Sequence, residues 1–128
     1  MKLLLDTHLL LRAAKGWEYL PPDARNLMNM PENELIFSVA SLWEIVIKCR
    51  LDRTDFSVDP HLLRRGLLDN GYNELPILSK HVVATGTLPP IHKDPFDRLL
   101  VAQAIVEGIT LLTADARVAE YPGPVQYV

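Results

Sequence analysis

Residues 2–8, Lys2-Leu3-Leu4-Leu5-Asp6-Thr7-His8, hold the reading on which the fold turns. Three consecutive leucines form a short, continuous apolar run, the pattern of a strand buried on both faces. Thr7 then begins a helix through Leu9, Leu10, Leu11, Ala13 and Ala14 that ends near Gly16. A buried strand that passes directly into a helix starts an alternating α/β chain, and Asp6 stands at the join. The same alternation continues. Pro21-Pro22-Asp23 opens a second helix that runs to Pro31, because proline suits a first turn and not an interior. Glu34-Leu35-Ile36-Phe37 is a second strand. A helix follows from Ser38 or Ser41, with Leu42, Ile45, Val46 and Cys49 spaced along one face.

After a polar connection from Leu51 to Asp59, Pro60 starts a helix that Asn70-Gly71 ends. Asn73 to Ile77 is a weaker strand, and Pro76 places it at a sheet edge. Ser79 is expected to cap a short helix to Thr85. Leu88-Pro89-Pro90-Ile91-His92-Lys93 is a loop, since consecutive prolines fit neither ladder nor helix. Asp94 caps the next helix, Pro95 takes its first position, and Gly108 closes it. Ile109 to Thr113 and Val125 to Val128 supply the fourth and fifth strands. Strands alternating with helices imply a parallel sheet covered by helices on both faces.

Four acids fall at the ends of these apolar segments: Asp6, Glu44 within Ser41-Leu42-Trp43-Glu44-Ile45, Asp97 within Asp94-Pro95-Phe96-Asp97-Arg98, and Asp115 after Leu111-Leu112-Thr113-Ala114. A strand that ends in Asp delivers its carboxylate to the carboxyl edge of the sheet, where open α/β folds bind ligands. Carboxylates that converge to roughly 4 Å repel by about 4 kcal/mol at an effective dielectric near 20. Protonation or a bound cation relieves that repulsion, and hard oxygen ligands favour Mg²⁺ or Mn²⁺.

The 128 residues, 48% hydrophobic and 23% charged, read as one globular domain, 1–128, without repeats or linkers. Asp6, His8 and Arg12 break any leader-like apolar segment, so the chain is expected in the cytoplasm with no membrane association. Cys49 is the single cysteine, which rules out an internal disulfide and a thiolate zinc cluster. A net charge of −3 argues against a surface that coats nucleic acid non-specifically, but not against a nucleic-acid partner whose phosphate is met by metal.

Taken singly, each acid has an ordinary structural role. Asp6 fits a helix cap. Glu44 fits a capping box with Ser41 or a pair with Lys48 one turn later. Asp94 fits an N-cap, with Asp97 in the first turn favoured by the helix dipole. Asp115 fits a turn. The case for a site rests on the set. His8, His61, His81 and His92 show no metal-ligand spacing and receive no chemistry. No phosphate-binding glycine loop and no G-x-S-x-G serine is present. Trp17 and Trp43 read as core or interface residues, with stacking on a base as the alternative for an aromatic beside the acids. Arg50, Arg53, Arg64 and Arg65 form either a basic rim or a solvated face.

Leu5-Asp6-Thr7-His8, the segment from Ser38 to Lys48 with Trp43-Glu44-Ile45, Asp94 to Arg98 leading into Ala102-Gln103-Ala104, and Thr113-Ala114-Asp115 together resemble a PIN-domain ribonuclease. More narrowly, the chain is similar to the VapC toxins of type II toxin–antitoxin systems. The resemblance spans nearly the whole length. It implies a three-layer α/β fold with a five-stranded parallel sheet flanked by helices. It also implies a metal-dependent endoribonuclease in which Asp6, Glu44, Asp97 and Asp115 are the acids, with Thr7, Thr113 and Lys48 supporting them. Asp6 and Asp97 would chiefly hold Mg²⁺ or Mn²⁺, and Asp94 is either a further ligand or a helix cap. The implied partners are an RNA substrate, a cognate VapB-like antitoxin and a second copy of the chain in a homodimer. The antitoxin would place an Arg among the acids and apolar residues near Leu10, Trp43, Ile47 or Leu51. A PIN nuclease that processes RNA without an antitoxin is one alternative. A receiver-like Mg²⁺-binding signalling domain is another, although it requires paired acids after the first strand.

Overall fold

The computed structural model describes residues 1–51 and 57–128. Arg53, one of the basic residues considered above, lies outside the described residues. Five parallel strands form one sheet in the order β3-β2-β1-β4-β5, comprising β1 (Lys2–Leu5), β2 (Glu34–Ser38), β3 (Asn73–Leu75), β4 (Thr110–Thr113) and β5 (Val125–Tyr127). The helices are α1 (Thr7–Lys15), α2 (Pro22–Met28), α3 (Val39–Arg50), α4 (Pro60–Asp69), α5 (Ser79–Ala84) and α6 (Pro95–Glu107). The expectation of a five-stranded parallel α/β fold is met. A receiver-type domain has the strand order 2-1-3-4-5, so the observed order excludes that alternative.

Side chains alternate across the sheet with period two, and each strand therefore feeds two cores. Leu3 and Leu5 of β1, Phe37 of β2 and Leu112 of β4 pack against α1, α2, α3 and α4 through Leu9, Leu10, Ala24, Met28, Ile45, Leu63 and Leu67. Leu4, Ile36 and Leu111, their neighbours in sequence, face the other way onto Leu99, Leu100, Val101 and Ala104 of α6. Burial of α6 on most sides follows from its place against the sheet centre. Gly108, at φ +66°, ends it in the left-handed conformation that few side chains adopt, and Ile109 N–H then reaches the Ala104 carbonyl.

Several local expectations are corrected. The cap of α3 is Ser38, whose hydroxyl accepts from Ala40 N–H, so Ser41 sits inside the first turn and forms no capping box with Glu44. Val46, placed by periodicity on the core face, is exposed. Ser79 does not cap α5. The N-cap position is Leu78, and its N–H is satisfied by Nδ1 of His81 at 3.0 Å. Leu10, suggested as a partly exposed contact, is fully buried under the sheet. Arg64, in the basic set, is paired with Glu74 at 2.7 Å. No helix among the described residues is long and apolar enough to cross a membrane.

Candidate metal centre

The sheet order reverses at β1, which has β2 and β3 on one side and β4 and β5 on the other. The crevice at the carboxyl ends of β1 and β4 is thus the topological switch point where doubly wound sheets bind ligands. Asp6 follows β1 and Asp115 follows β4. Thr113, the last residue of β4, joins the two: its hydroxyl donates to Asp6 Oδ2 at 2.6 Å and accepts from Asp115 N–H at 3.0 Å. Thr113 therefore contacts both aspartates, whereas the sequence reading linked it to Asp115 alone. Thr113→Val keeps the shape but strips a buried carboxylate of one donor and an N–H of its acceptor. It is expected to cost about 1–3 kcal/mol in urea unfolding. An unchanged midpoint would show that water replaces both bonds at no cost.

Asp6 also caps α1, accepting from Leu9 N–H at 2.9 Å. Oδ1 serves the cap and Oδ2 takes the Thr113 hydroxyl, so the two oxygens have separate partners. Burial raises the Asp6 pKa against the lowering effect of its bonds to Thr113 and Leu9, and the charge of Asp115 adds to the rise. Thr7 ties α1 to α3 by donating to the buried Ser41 hydroxyl at 2.9 Å, which sets the approach of the helix that carries Glu44.

Glu44 is only 1% exposed. Its Oε2 accepts from Lys48 Nζ at 2.5 Å, the i, i+4 pairing expected from the sequence. Its Oε1 is buried with no hydrogen-bond partner among the described residues. Such an atom costs free energy unless something fills the place of water, and a cation suits a carboxylate oxygen. Lys48 also stands 3.9 Å from Asp94 Oδ2. The other Asp94 oxygen caps α6, accepting from Phe96 and Asp97 N–H at 2.8 and 3.1 Å. One oxygen of Asp94 is thus committed to the cap, and the other faces the lysine.

Asp97, on the first turn of α6, carries the site's strain. Burial first, then the charges of Asp94, Glu44, Asp6 and Asp115, push its carboxyl pKa up to about 8. Among the described residues the one tight group of potential ligand atoms is Asp97, Asp115 and His92, all within 4.8 Å of one another. Asp6 and Glu44 stand outside that group, although their charges reach Asp97. His92 is the residue that sequence reasoning passed over. Its Nε2 lies 3.6 Å from Asp97 Oδ2 and 3.8 Å from Asp115 Oδ2. Its neighbours in sequence, Lys93 and the capping Asp94, were the only local signal that it belongs to the entry of α6.

At the rim, Trp43 is 55% exposed and meets Phe96 edge-on, with centroids 5.2 Å apart and planes at 82°. The indole is thus neither a core residue nor wholly free. An orphaned buried oxygen, hard carboxylate donors and an Asp97 pKa raised by burial and then by crowded like charge all fit a divalent ion such as Mg²⁺ or Mn²⁺.

Comparison with known families matches residues 3–124 to the PIN domain. No curated protein matches the chain in sequence. Among solved structures, the chain is similar to the crystal structure of VapBC2 from Rickettsia felis bound to a DNA fragment from their promoter. That match has 17% identity and a TM-score of 0.72, covering 99% of this chain and 98% of that one. It is also similar to VapBC-1 from nontypeable Haemophilus influenzae, at 17% identity and a TM-score of 0.66, covering 99% and 98%. A toxin–antitoxin complex from Klebsiella pneumoniae matches at 17% identity and a TM-score of 0.64, covering 96% and 94%. At this identity the likeness is one of fold.

Proposed function

The chain belongs to the PIN-domain family, and from that premise we propose that it is a metal-dependent endoribonuclease acting as the toxin of a type II toxin–antitoxin pair. The observation that carries the reading is the set of acids at the switch point, with Asp97 held near neutrality by burial and like charge. Asp97 and Asp115 would hold Mg²⁺ or Mn²⁺, with Asp6 and Glu44 completing the acidic shell. When bound, such an ion supplies charge neutralisation and Lewis acidity towards a phosphodiester. Thr113 keeps Asp6 and Asp115 at a set spacing, and Lys48 holds one oxygen of Glu44 in place. A cation held by Asp97 and Asp115 would make the pocket receptive to phosphate, which four unneutralised carboxylates would repel. The exposed Trp43 beside Phe96 offers a flat aromatic face on which an unpaired base can stack.

The structural neighbours include VapBC complexes, which supports a small VapB-like antitoxin as partner. Trp43, Ile47 and Leu51 are exposed at i, i+4 and i+8, from the second turn of α3 to its C-cap. That stripe suits the apolar side of an antitoxin segment whose arginine enters the acidic pocket. A homodimer formed through the helices, and residence in the cytoplasm, belong to the same proposal.

Purified protein incubated with structured RNAs in Mg²⁺, Mn²⁺ or EDTA, beside an Asp6→Asn control, tests the activity. Cleavage in metal but not in EDTA, lost in the control, is the expected result. Co-expression with the small open reading frame next to its gene tests the partner. A chain that is harmless alone and ignores that product would replace the toxin reading with an RNA-processing nuclease. Metal is further expected to stabilise the fold, by roughly 2.7 kcal/mol when free ion is about 100 times Kd, and so to raise the melting temperature. No shift at millimolar Mg²⁺ or Mn²⁺ would count against the site.

A further inference from the structure

Resting on the nuclease reading, the geometry points to His92 as a fixed hydrogen-bond donor to the scissile phosphate, and not as a metal ligand. Its distances to Asp97 and Asp115 invite the opposite conclusion. A ring nitrogen that binds metal must offer a lone pair, and a neutral imidazole has one lone pair and one proton to share between its two nitrogens. Nδ1 of His92 accepts the backbone N–H of Asp94 at 3.0 Å. Nδ1 is therefore the unprotonated nitrogen, and the proton is on Nε2. The nitrogen that faces the acids has no lone pair to give. Turning the ring over would set a carbon against Asp94 N–H, which lies at the start of α6 and has no partner within the helix.

The backbone around the ring is held on both sides. His92 N–H donates to the Tyr121 hydroxyl at 2.9 Å, and that hydroxyl donates back to the His92 carbonyl at 3.1 Å. Arg117 donates to the Ile91 carbonyl at 2.7 Å. The ring is thus aimed before any ligand arrives, which is the arrangement that makes a donor effective in catalysis. Nε2 stands 3.6 and 3.8 Å from the two carboxylates, too far for a hydrogen bond to either. An attacking water must lose a proton, and an N–H cannot accept it. The donor instead suits an oxygen that gains negative charge, and in a phosphodiester these are the phosphoryl oxygens and the leaving oxygen, all bonded to the scissile phosphorus.

Long-range ¹H–¹⁵N spectra of the imidazoles, with the His92 signals assigned by His92→Gln, give the first test. The expected result is a protonated Nε2 and an unprotonated Nδ1, both with and without Mg²⁺. Transfer of the proton to Nδ1 on adding Mg²⁺ would overturn the assignment. Mn²⁺ affinity measured by electron paramagnetic resonance gives the second. His92→Ala is expected to bind within about threefold of wild type, whereas loss of a ligand weakens binding by roughly tenfold or more. Cleavage gives the third: kcat of His92→Ala is expected to fall by about 10²–10³, as when a preorganised donor is removed, with partial recovery in His92→Gln. Wild-type turnover in both variants would overturn the donor role. If the wild type cleaves no RNA, the nuclease reading fails, and the spectra and Mn²⁺ titration still decide between donor and ligand.

Discussion

Asp97→Asn is expected to abolish RNA cleavage and, in EDTA at neutral pH, to make the fold more stable by about 1–3 kcal/mol. The two effects share one cause. Burial and four neighbouring carboxylates raise the Asp97 pKa from 3.8 to about 8. A group whose pKa is raised on folding adds stability that is fully present below its unfolded value and disappears as the pH climbs through its folded value. The metal-free wild type should therefore lose stability between about pH 4 and pH 8. The Asn side chain has the same shape and no charge, so that decline should flatten in the variant, and the two curves should meet near pH 4. Asp97 N–H is already bonded to Asp94, and α6 keeps its cap. Urea unfolding in EDTA across that range measures both curves. A variant less stable than wild type at pH 7.5 would mean that the carboxylate serves the helix and not a cation.

Arg98→Ala is expected to destabilise the fold by roughly 2–4 kcal/mol and to depress cleavage as well, although its hydrogen bonds go to loop carbonyls and Tyr121. The guanidinium donates to the carbonyls of Thr85, Leu88 and Pro89 at 2.9, 3.3 and 2.9 Å and to the Tyr121 hydroxyl at 3.2 Å. One half-buried cation thereby satisfies a proline-rich loop that has no ladder of its own. It also braces the tyrosine that holds His92. A lysine cannot reproduce a planar fork of donors, so Arg98→Lys should recover only part of the loss. Urea midpoints, with cleavage assayed well below them, separate the fold effect from the loop effect. Full activity in a destabilised Arg98→Ala would show that the loop holds His92 without this clamp.

Much of this architecture is local in origin and could be read along the chain. Pro22, Pro60 and Pro95 occupy first turns, Asp6, Ser38 and Asp94 supply caps, and Gly108 ends α6, because each acts on backbone within a few residues. The continuous apolar run Leu3 to Leu5 marked β1 as buried on both faces. Asp6, Asp97 and Asp115 were visible for the same reason, each at one end of an apolar segment, whereas Glu44 lies inside α3. Where two local rules competed, the outcome was set by packing: Ser41 lost the cap to Ser38 once its hydroxyl met Thr7, and Val46 kept the right spacing on a helix that turned it outward.

Sequence by itself determined the elements, their parallel class and the acids at their ends. Only the tertiary structure decided which ends meet. The strand order brings β4 beside β1, so that Thr113 can bond Asp6 across 107 positions of chain. It also turns His92, a loop histidine without motif, towards Asp97 and Asp115 through a bond to Asp94 and a clamp from Tyr121. Periodicity and capping act over one or two turns, whereas lateral strand pairing, shared burial and crowded charge act between segments that only the closed fold makes neighbours.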